Sequence, residues 1–573
     1  MAHLEALLNE RLGRAFAAVA GADADPMVRR SQHADFQADG ALAAARTVRA
    51  NPREVATRIV EQAELDDLCA SVEISGPGFI NLTLREETLT RLVAEAADSE
   101  LLGVTPPSPE TVIVDYSAPN VAKEMHVGHL RSTIIGDAAV RLLAWFGHTV
   151  IRQNHVGDWG TPFGMLIEHL LDLGEDEAAH ELSIGDLNGF YRAARLKFDA
   201  SEEFKTRSRR RVVALQSGDP DTMRLWQLLI GESQKYFMTV YDQLGVRLTA
   251  ADFAGESAYN DELASVVAEL ESLGLARESD GALCVFPEGF TGREGDPLPL
   301  IVRKTDGGFG YASTDLAAIR YRLRKLGATR LLYVVGSPQH QHLEMVFQTA
   351  REAGWLTAPA RAEHVGHGSV LGADGKMLRS RAGEAVRLSD LLTEAVTRAT
   401  TAVAEKNPSL DEDTAGAVAR AVGIGAVKYA DLSTDRNKDY VLDYDRMLSF
   451  DGNTGPYLQY AHARIQSIFR RAGIPVPGSA ERVRLTEPAE RALALALLEF
   501  PGVLGEVEQS LLFHRLATYL FDLATAFTGF YERCPVLKAD EPVRESRLQL
   551  CALTARVLAT GLGLLGIDAP DRL

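Results

Sequence analysis

No uncharged apolar run in the 573-residue chain approaches about 18 residues, which argues against a bilayer-spanning helix. The opening MAHLEALLNERLGRAF is amphipathic and charged, without the apolar core of a signal peptide. Cysteine is scarce. Cys69, Cys284, Cys534 and Cys551 lie far apart and form no CxxC pair, against both a zinc site and a disulfide framework. That usage fits a reducing cytoplasm. Positive charge is in deficit, 60 Lys and Arg against 79 Asp and Glu, for a net charge of −19. A protein that coats nucleic acid carries the opposite balance. Local basic patches remain, at Arg207–Arg211 (RSRRR), Arg320–Lys325 (RYRLRK) and Arg464–Arg471. Each alone reads first as a solvated helix face. Repeats and low-complexity tails are also missing. What is left is an ordinary globular composition, 46% hydrophobic and 24% charged, with length for about three or four domains.

Residues 1–105 read as a small α+β domain. HLEALLNERLGRAFAAVAG is helical, ALAAARTVRANPREVATRIVEQA is helical with a break at Asn51–Pro52, and SVEISGPGFINLTL alternates like two strands around a turn. TPPSPE (105–110) is a linker. TVIVDYSA (111–118) reads as a buried strand, GHLRSTIIGDAAVRLLAWFG as a helix and HTVIRQNHV as another strand, a parallel βαβ unit. Residues from about 170 to 300 read as a mostly helical insertion, with a hairpin around GALCVFPEG. The alternation resumes with a helix from GFGYASTDLAAIRYRLRKLG, a strand RLLYVVGS, a helix HLEMVFQTAREAG and a strand AEHVGHGSV (362–370). The expected layout is an α/β Rossmann-type parallel-sheet core over 106–385, a helical stem over 386–450 and an all-α domain over 451–573.

The most informative stretch is DYSAPNVAKEMHVGHLRST (115–133). His126 and His129, three residues apart, share one face at a helix start that follows a parallel strand. Ligands of open α/β sheets bind at the carboxyl ends of strands, and a helix N-terminus favours phosphate. Two imidazoles there can donate to a triphosphate. Gly128 leaves room for a nucleotide to approach the backbone, and Lys123 adds a cation.

These residues resemble the class I aminoacyl-tRNA synthetases, whose HIGH motif corresponds to His126-Val127-Gly128-His129. The longer string SAPNVAKEMHVGHLRST resembles the arginyl-tRNA synthetases, and the similarity extends over essentially the whole chain. NHVGDWGTPFG (154–164) also matches that family, though the residues themselves give it no mechanism.

The second half of such a site is a basic loop. VLGADGKMLRSRAGEAV (370–386) supplies Lys376, Arg379 and Arg381, with Gly372, Gly375 and Gly383 for mobility. Lys376-Met377-Leu378-Arg379-Ser380 resembles the KMSKS motif, with Arg379 in place of its second lysine. Cations closing over the leaving pyrophosphate stabilise the transition state. The resemblance implies ATP contacts from His126, Gly128, His129, Lys376, Met377, Arg379 and Arg381, with Lys123 compensating for the degenerate loop. ATP implies Mg²⁺, although no metal cage is visible in the sequence.

A guanidinium is best read by carboxylates. The resemblance assigns arginine contacts to Asp115, Asn120, His126, Tyr311, Asp315 and Gln339, with Asp115 and Asp315 reading the guanidinium, Asn120 and Gln339 holding the α-carboxylate and α-amino end, and Tyr311 walling the pocket. Asp315 shares a helical face with Tyr311 if the helix starts that early, but it suits a helix N-cap equally well.

FDGNTGPYLQYAHARI (450–465) opens like a helix, with Asn453 or Thr454 as cap and Pro456 in the first turn, yet it carries Gln459, Tyr460, His462 and Arg464. In the resembled family an all-helical anticodon-binding domain begins here, so Tyr457, Gln459, Tyr460 and Arg464 are expected to meet RNA. The implied activity joins L-arginine to tRNA(Arg) through arginyl-adenylate, with activation dependent on bound tRNA, in a cytoplasmic monomer. Two other readings stay open. A small-molecule nucleotidylyltransferase shares HxGH chemistry but is shorter. A catalytically silent RNA-binding paralogue would be expected to lose the histidines or pocket acids.

Overall fold

Four parallel strands carry the site. They are β1 (Thr111–Asp115), β2 (Thr149–Gln153), β3 (Arg330–Tyr333) and β4 (Arg361–His364), in the spatial order β4-β3-β1-β2. The computed structural model describes residues 4–31, 33–174, 187–378, 385–476 and 483–573. Val112, Ile113 and Val114 make β1 a strand covered on both faces, as a central parallel strand must be. Each such side chain, fully buried, contributes about 1.5–3 kcal/mol. β1 continues through helix α1 (Leu130–Trp145) to β2 on one side. Helix α2 (Tyr311–Arg324) leads into β3, which continues through α3 (His340–Glu352) to β4 on the other. The strand order therefore reverses between β1 and β3, where open α/β sheets leave a crevice. The register places Gln153, Asp115, Tyr333 and His364 in one row along the carboxyl edge.

The expected strand 362–370 divides. β4 ends at His364, and Val370–Leu371 pairs instead with Tyr440–Val441. Gly368 donates its N–H to the Arg436 carbonyl and Ser369 to Asp439, which draws the chain off the sheet. In the insertion, the hairpin turns at Asp280–Gly281 between Ala276–Ser279 and Ala282–Val285, and Leu300–Arg303 adds a third strand. Part of the charge in two of the basic patches is paired internally. Arg207 and Arg211 both reach Glu168, Arg320 reaches Glu262 and Glu269, and Arg322 turns inward to Asp115.

Packing divides the chain into two compact units, Ser108–Leu448 with Leu564–Ile567, and Met1–Pro107 with Ser449–Gly563 and Asp568–Leu573. In the second unit the N-terminal residues form helices Leu4–Ala20, Ala41–Val48 and Pro52–Gln62. Asn51 caps the last of these, which accounts for the break before Pro52. Cys69–Ser75 and Phe79–Leu84 pair antiparallel, as the alternation implies. Asp35 is buried between Arg491, which contacts both carboxylate oxygens, and the Leu84 N–H at 2.7 Å. The all-helical segment and the N-terminal sheet thus share one buried ion pair. Among the described residues no helix is long and apolar enough to cross a membrane.

In the first unit, α1 is tied to the later helices by Arg131. Its guanidinium lies 3.2 Å from Asp431, donates to the Lys438 carbonyl at 2.7 Å and sits over the Tyr440 ring. Both members of the pair are fully buried. Removing one charge strands the other in a low-dielectric interior. Arg131→Met is expected to destabilise this unit by about 3–5 kcal/mol, and Arg131→Met with Asp431→Leu by much less, as read by denaturant unfolding of the full chain.

Candidate active site

The loop after β1 is strained. Ser117, Ala118 and Ala122 all adopt positive φ, at 73°, 49° and 60°. Non-glycine residues there cost about 1–3 kcal/mol each and persist only where surroundings hold them. Here the holders are visible. The Ser117 N–H donates to Ser132 Oγ, Ala118 N–H to Asn154 Oδ1 and Ala122 N–H to Ser233 Oγ, at 2.9–3.0 Å. Tyr241 hydroxyl bridges Ser117 Oγ and Asn154 Nδ2. The NHVGD segment thereby gains its mechanism. Asn154, fully buried, pins the loop, and Gly157 admits Asn120, whose Oδ1 lies 2.5 Å from where a Cβ would stand.

Held this way, the loop delivers HVGH to the start of α1. His126 Nδ1 accepts from the Gly128 N–H at 3.0 Å, and His129 Nδ1 accepts from the His126 N–H at 3.1 Å. The two rings lie 4.1 Å apart. Gly128 is needed for a reason the sequence did not expose. A Cβ there would stand 2.7 Å from the His126 ring, so the glycine makes room for the histidine cap itself. With both Nδ1 atoms accepting, the protons sit on Nε2. Burial and the neighbouring Lys123 hold His126 below the usual histidine range, and burial with His126 drives His129 down to about 3. The pair is therefore two neutral N–H donors. The Lys123 ammonium rests 4.4 Å over the Tyr191 ring.

The second motif is stitched to the first by backbone. Val127 N–H donates to the Val386 carbonyl and Leu388 N–H to the Met125 carbonyl, each at 2.9 Å. Arg387 pairs with buried Glu124. On the near side Gly372 N–H donates to the Lys376 carbonyl, and Leu371 bridges Met377. Gly372 and Gly375 thus build a defined turn where mobility was expected. Lys376 and Met377 are exposed on it. Arg379, Arg381 and Gly383 lie outside the described residues.

The expected arginine contacts separate. Asp115 is committed internally, because Arg322 donates to it at 2.7 Å and also to Gln153 at 2.6 Å, all buried. Its carboxylate is already neutralised, and the expectation that it reads a substrate guanidinium is corrected. Asp315 is not an N-cap. α2 begins at Tyr311 after Gly310, so Asp315 sits one turn in, on the face of Tyr311. Tyr311 is 76% exposed. Asn120 and Gln339 are exposed at the same carboxyl edge. Two groups went unnoticed in the sequence. Glu256 comes from the insertion, without a local motif. Burial, then Asp158 and Asp315, push its carboxyl up to about 7. His342 bonds Asp315. Its position three residues after Gln339, in the first turn after a strand end, was a usable signal.

The polar helix α4 (Gly455–Ala472) is capped by Thr454 and turns its polar side chains onto its own chain. Gln459, 0% exposed, donates to the Asp568 carbonyl at 2.8 Å, His462 Nδ1 lies 3.2 Å from the Pro570 carbonyl, and Arg470 donates to that of Asp571. The expected RNA contact of Gln459 is corrected, since its amide is buried in this tie. Tyr457 packs on Phe521, Tyr460 on Phe450, and Arg464 lies over Tyr531; all three are half-buried.

Comparison with known proteins bears on the chain as a whole. The family described as tRNA synthetases class I (R), catalytic domain, matches residues 92–444. The arginyl tRNA synthetase N terminal domain matches 2–84 and the DALR anticodon binding domain 458–573. The parallel-sheet unit is thus a class I aminoacyl-tRNA synthetase core. The chain is 58% identical over 577 residues to an arginine--tRNA ligase of Thermobifida fusca (strain YX), covering 100% of both, and 53% identical to one of Frankia casuarinae, covering 96% of this chain and 95% of that one. Among solved structures, the arginyl-tRNA synthetase of Plasmodium falciparum superposes with a TM-score of 0.87 at 30% identity, and that of Thermus thermophilus with 0.82 at 27%, each covering 100% of both chains. The chain belongs to the arginyl-tRNA synthetase family.

The histidine geometry makes a direct prediction. In ¹⁵N spectra of the full chain, His126 and His129 should show the neutral Nε2–H tautomer at pH 7, and His129 should not titrate between pH 8 and 5.

Proposed function

We propose that this protein ligates L-arginine to tRNA(Arg) using ATP, through arginyl-adenylate, with release of AMP and pyrophosphate. The observation that carries the reading is the carboxyl edge of β1 and β3, where two neutral imidazole donors stand at the start of α1, in a segment whose backbone bonds Val386 and Leu388, with Asp315 on α2 at the same edge. The arginine carboxylate is itself the nucleophile, so activation requires no side-chain nucleophile or general base. Catalysis then rests on positioning and on stabilising charge that develops on the pyrophosphate. We assign phosphate contacts to His126 and His129 through Nε2–H, and to Lys123 and Lys376. Backbone at Gly128 and Met377 and the side chains of Arg379 and Arg381 complete the proposed ATP site. Neither imidazole offers a lone pair to a metal, because both Nδ1 atoms accept from backbone and both Nε2 atoms carry protons. The residues fit phosphate. No described residue here would hold Mg²⁺ directly; carried by the nucleotide, it would offset part of the phosphate charge.

For the amino acid, Asp315 with Glu256 reads the guanidinium, Tyr311 walls it, and Asn120, Gln339 and His126 hold the α-amino and carboxylate end. A site that reads a cation through carboxylates rejects a neutral isostere strongly, which sets selectivity against citrulline. Tyr457, Tyr460 and Arg464 keep accessible surface on α4 and are the residues of that helix assigned to RNA. Buried free cysteines at 69, 284, 534 and 551 suit work in the cytoplasm. We propose a monomer.

The first test is arginine-dependent ATP–pyrophosphate exchange with and without tRNA(Arg). Exchange only with tRNA supports both substrate and tRNA-dependent activation. Exchange without tRNA retains the enzyme and removes the dependence. Its absence under both conditions, with folded protein, leaves a silent paralogue. A second expectation follows from Glu256. A carboxyl raised to about 7 is largely protonated below that pH, and the arginine cation favours the ionised form, so binding releases a proton. KM for arginine should fall as pH rises from 6 to 8. Glu256→Gln should raise KM about 10–100-fold and abolish that slope.

A further inference from the structure

The geometry points to His342 as the positioning residue that sets the orientation of Asp315 in the proposed arginine pocket, an inference that rests on that pocket reading. His342 lies in the first turn of α3, which follows β3, and Asp315 in the second turn of α2, which precedes it. Both helix N-termini open at the carboxyl edge of the sheet. His342 Nε2 lies 2.6 Å from Asp315 Oδ2, a short charge-assisted contact. Oδ1 takes no hydrogen bond from the described residues, which leaves it for a guanidinium N–H.

The carboxylate needs such a partner for two reasons. First, a terminal carboxylate rotates broadly unless bonded, and a guanidinium is read by direction as well as charge. Second, Asp315 and Glu256 repel one another. Two like charges facing one pocket move apart or share a proton unless something holds one of them. A donor behind Oδ2 does both tasks, fixing the torsion and drawing negative charge away from Glu256. Asp315 in turn holds the His342 ring above the usual histidine range, so the donor keeps its proton. His342 acts through Asp315 and is not assigned a contact with the substrate.

The test measures KM for arginine and for ATP separately, by pyrophosphate exchange on the full chain with tRNA(Arg). His342→Leu, which removes the donor, should raise KM for arginine about 10–100-fold and leave KM for ATP within about two-fold. His342→Gln keeps an N–H donor and should recover most of the loss. Asp315→Asn should itself raise KM for arginine, and adding His342→Leu to it should change little further, because coupled groups are not additive. Equal KM for arginine in wild type and His342→Leu overturns the proposal. So does a His342→Gln variant no better than His342→Leu, or a fall in kcat with both KM values unchanged. If His342→Leu fails to fold, the comparison of His342→Gln with wild type, alone and on Asp315→Asn, decides. An unchanged KM for arginine in folded Asp315→Asn sinks the pocket reading itself, a different result from a normal Asp315→Asn effect with a silent His342.

Discussion

The site depends on a backbone that would not hold its shape alone. Three left-handed residues, none of them glycine, lie between β1 and the histidine motif, and they stay there because Ser132, Asn154, Ser233 and Tyr241 bond their N–H groups or side chains from three different segments. Strain of this kind is kept where geometry matters more than stability. Its effect is to aim one short loop so that His126 caps the next helix turn and Asn120 stands against Gly157. Remove the holders and the chemistry-bearing residues remain in the chain but lose their mutual positions.

From that loop the rest of the unit follows as a set of ties. Buried Arg131 fixes α1 to Asp431 and Tyr440. Buried Arg322 satisfies Asp115 and Gln153. Backbone bonds at Val127 and Leu388 join the two motifs, which lie some way apart in sequence. Charge is spent carefully. Arg207 and Arg211 are paired with Glu168 and Arg320 with Glu262 and Glu269, while the residues proposed for ATP combine neutral imidazole donors with Lys123, Lys376, Arg379 and Arg381.

Much of this was legible beforehand. β-branched runs marked β1 and β3, the Asn51–Pro52 pair marked a break between helices, and HVGH after a strand marked the edge where ligands bind. Local pattern governs those features. Long-range pairing governs the rest, and the sequence carries no local trace of it. Nothing in TVIVD foretells that Asp115 meets Arg322, and Glu256 arrives from an insertion with no motif. Gln459 misled for a related reason. A polar residue on a helix reads as solvent- or ligand-facing until the chain's own carbonyls are found opposite it.

That last contact has a consequence for how the protein can change. α4 holds the segment 568–571 by donating to main-chain carbonyls of Asp568, Pro570 and Asp571, and carbonyls are the same whatever side chain accompanies them. Proline at 570 costs nothing, because only its carbonyl is used. The tail is therefore free to drift in sequence while its path stays fixed. Gln459, His462 and Arg470 have no such latitude, and one side of the contact bears the whole constraint.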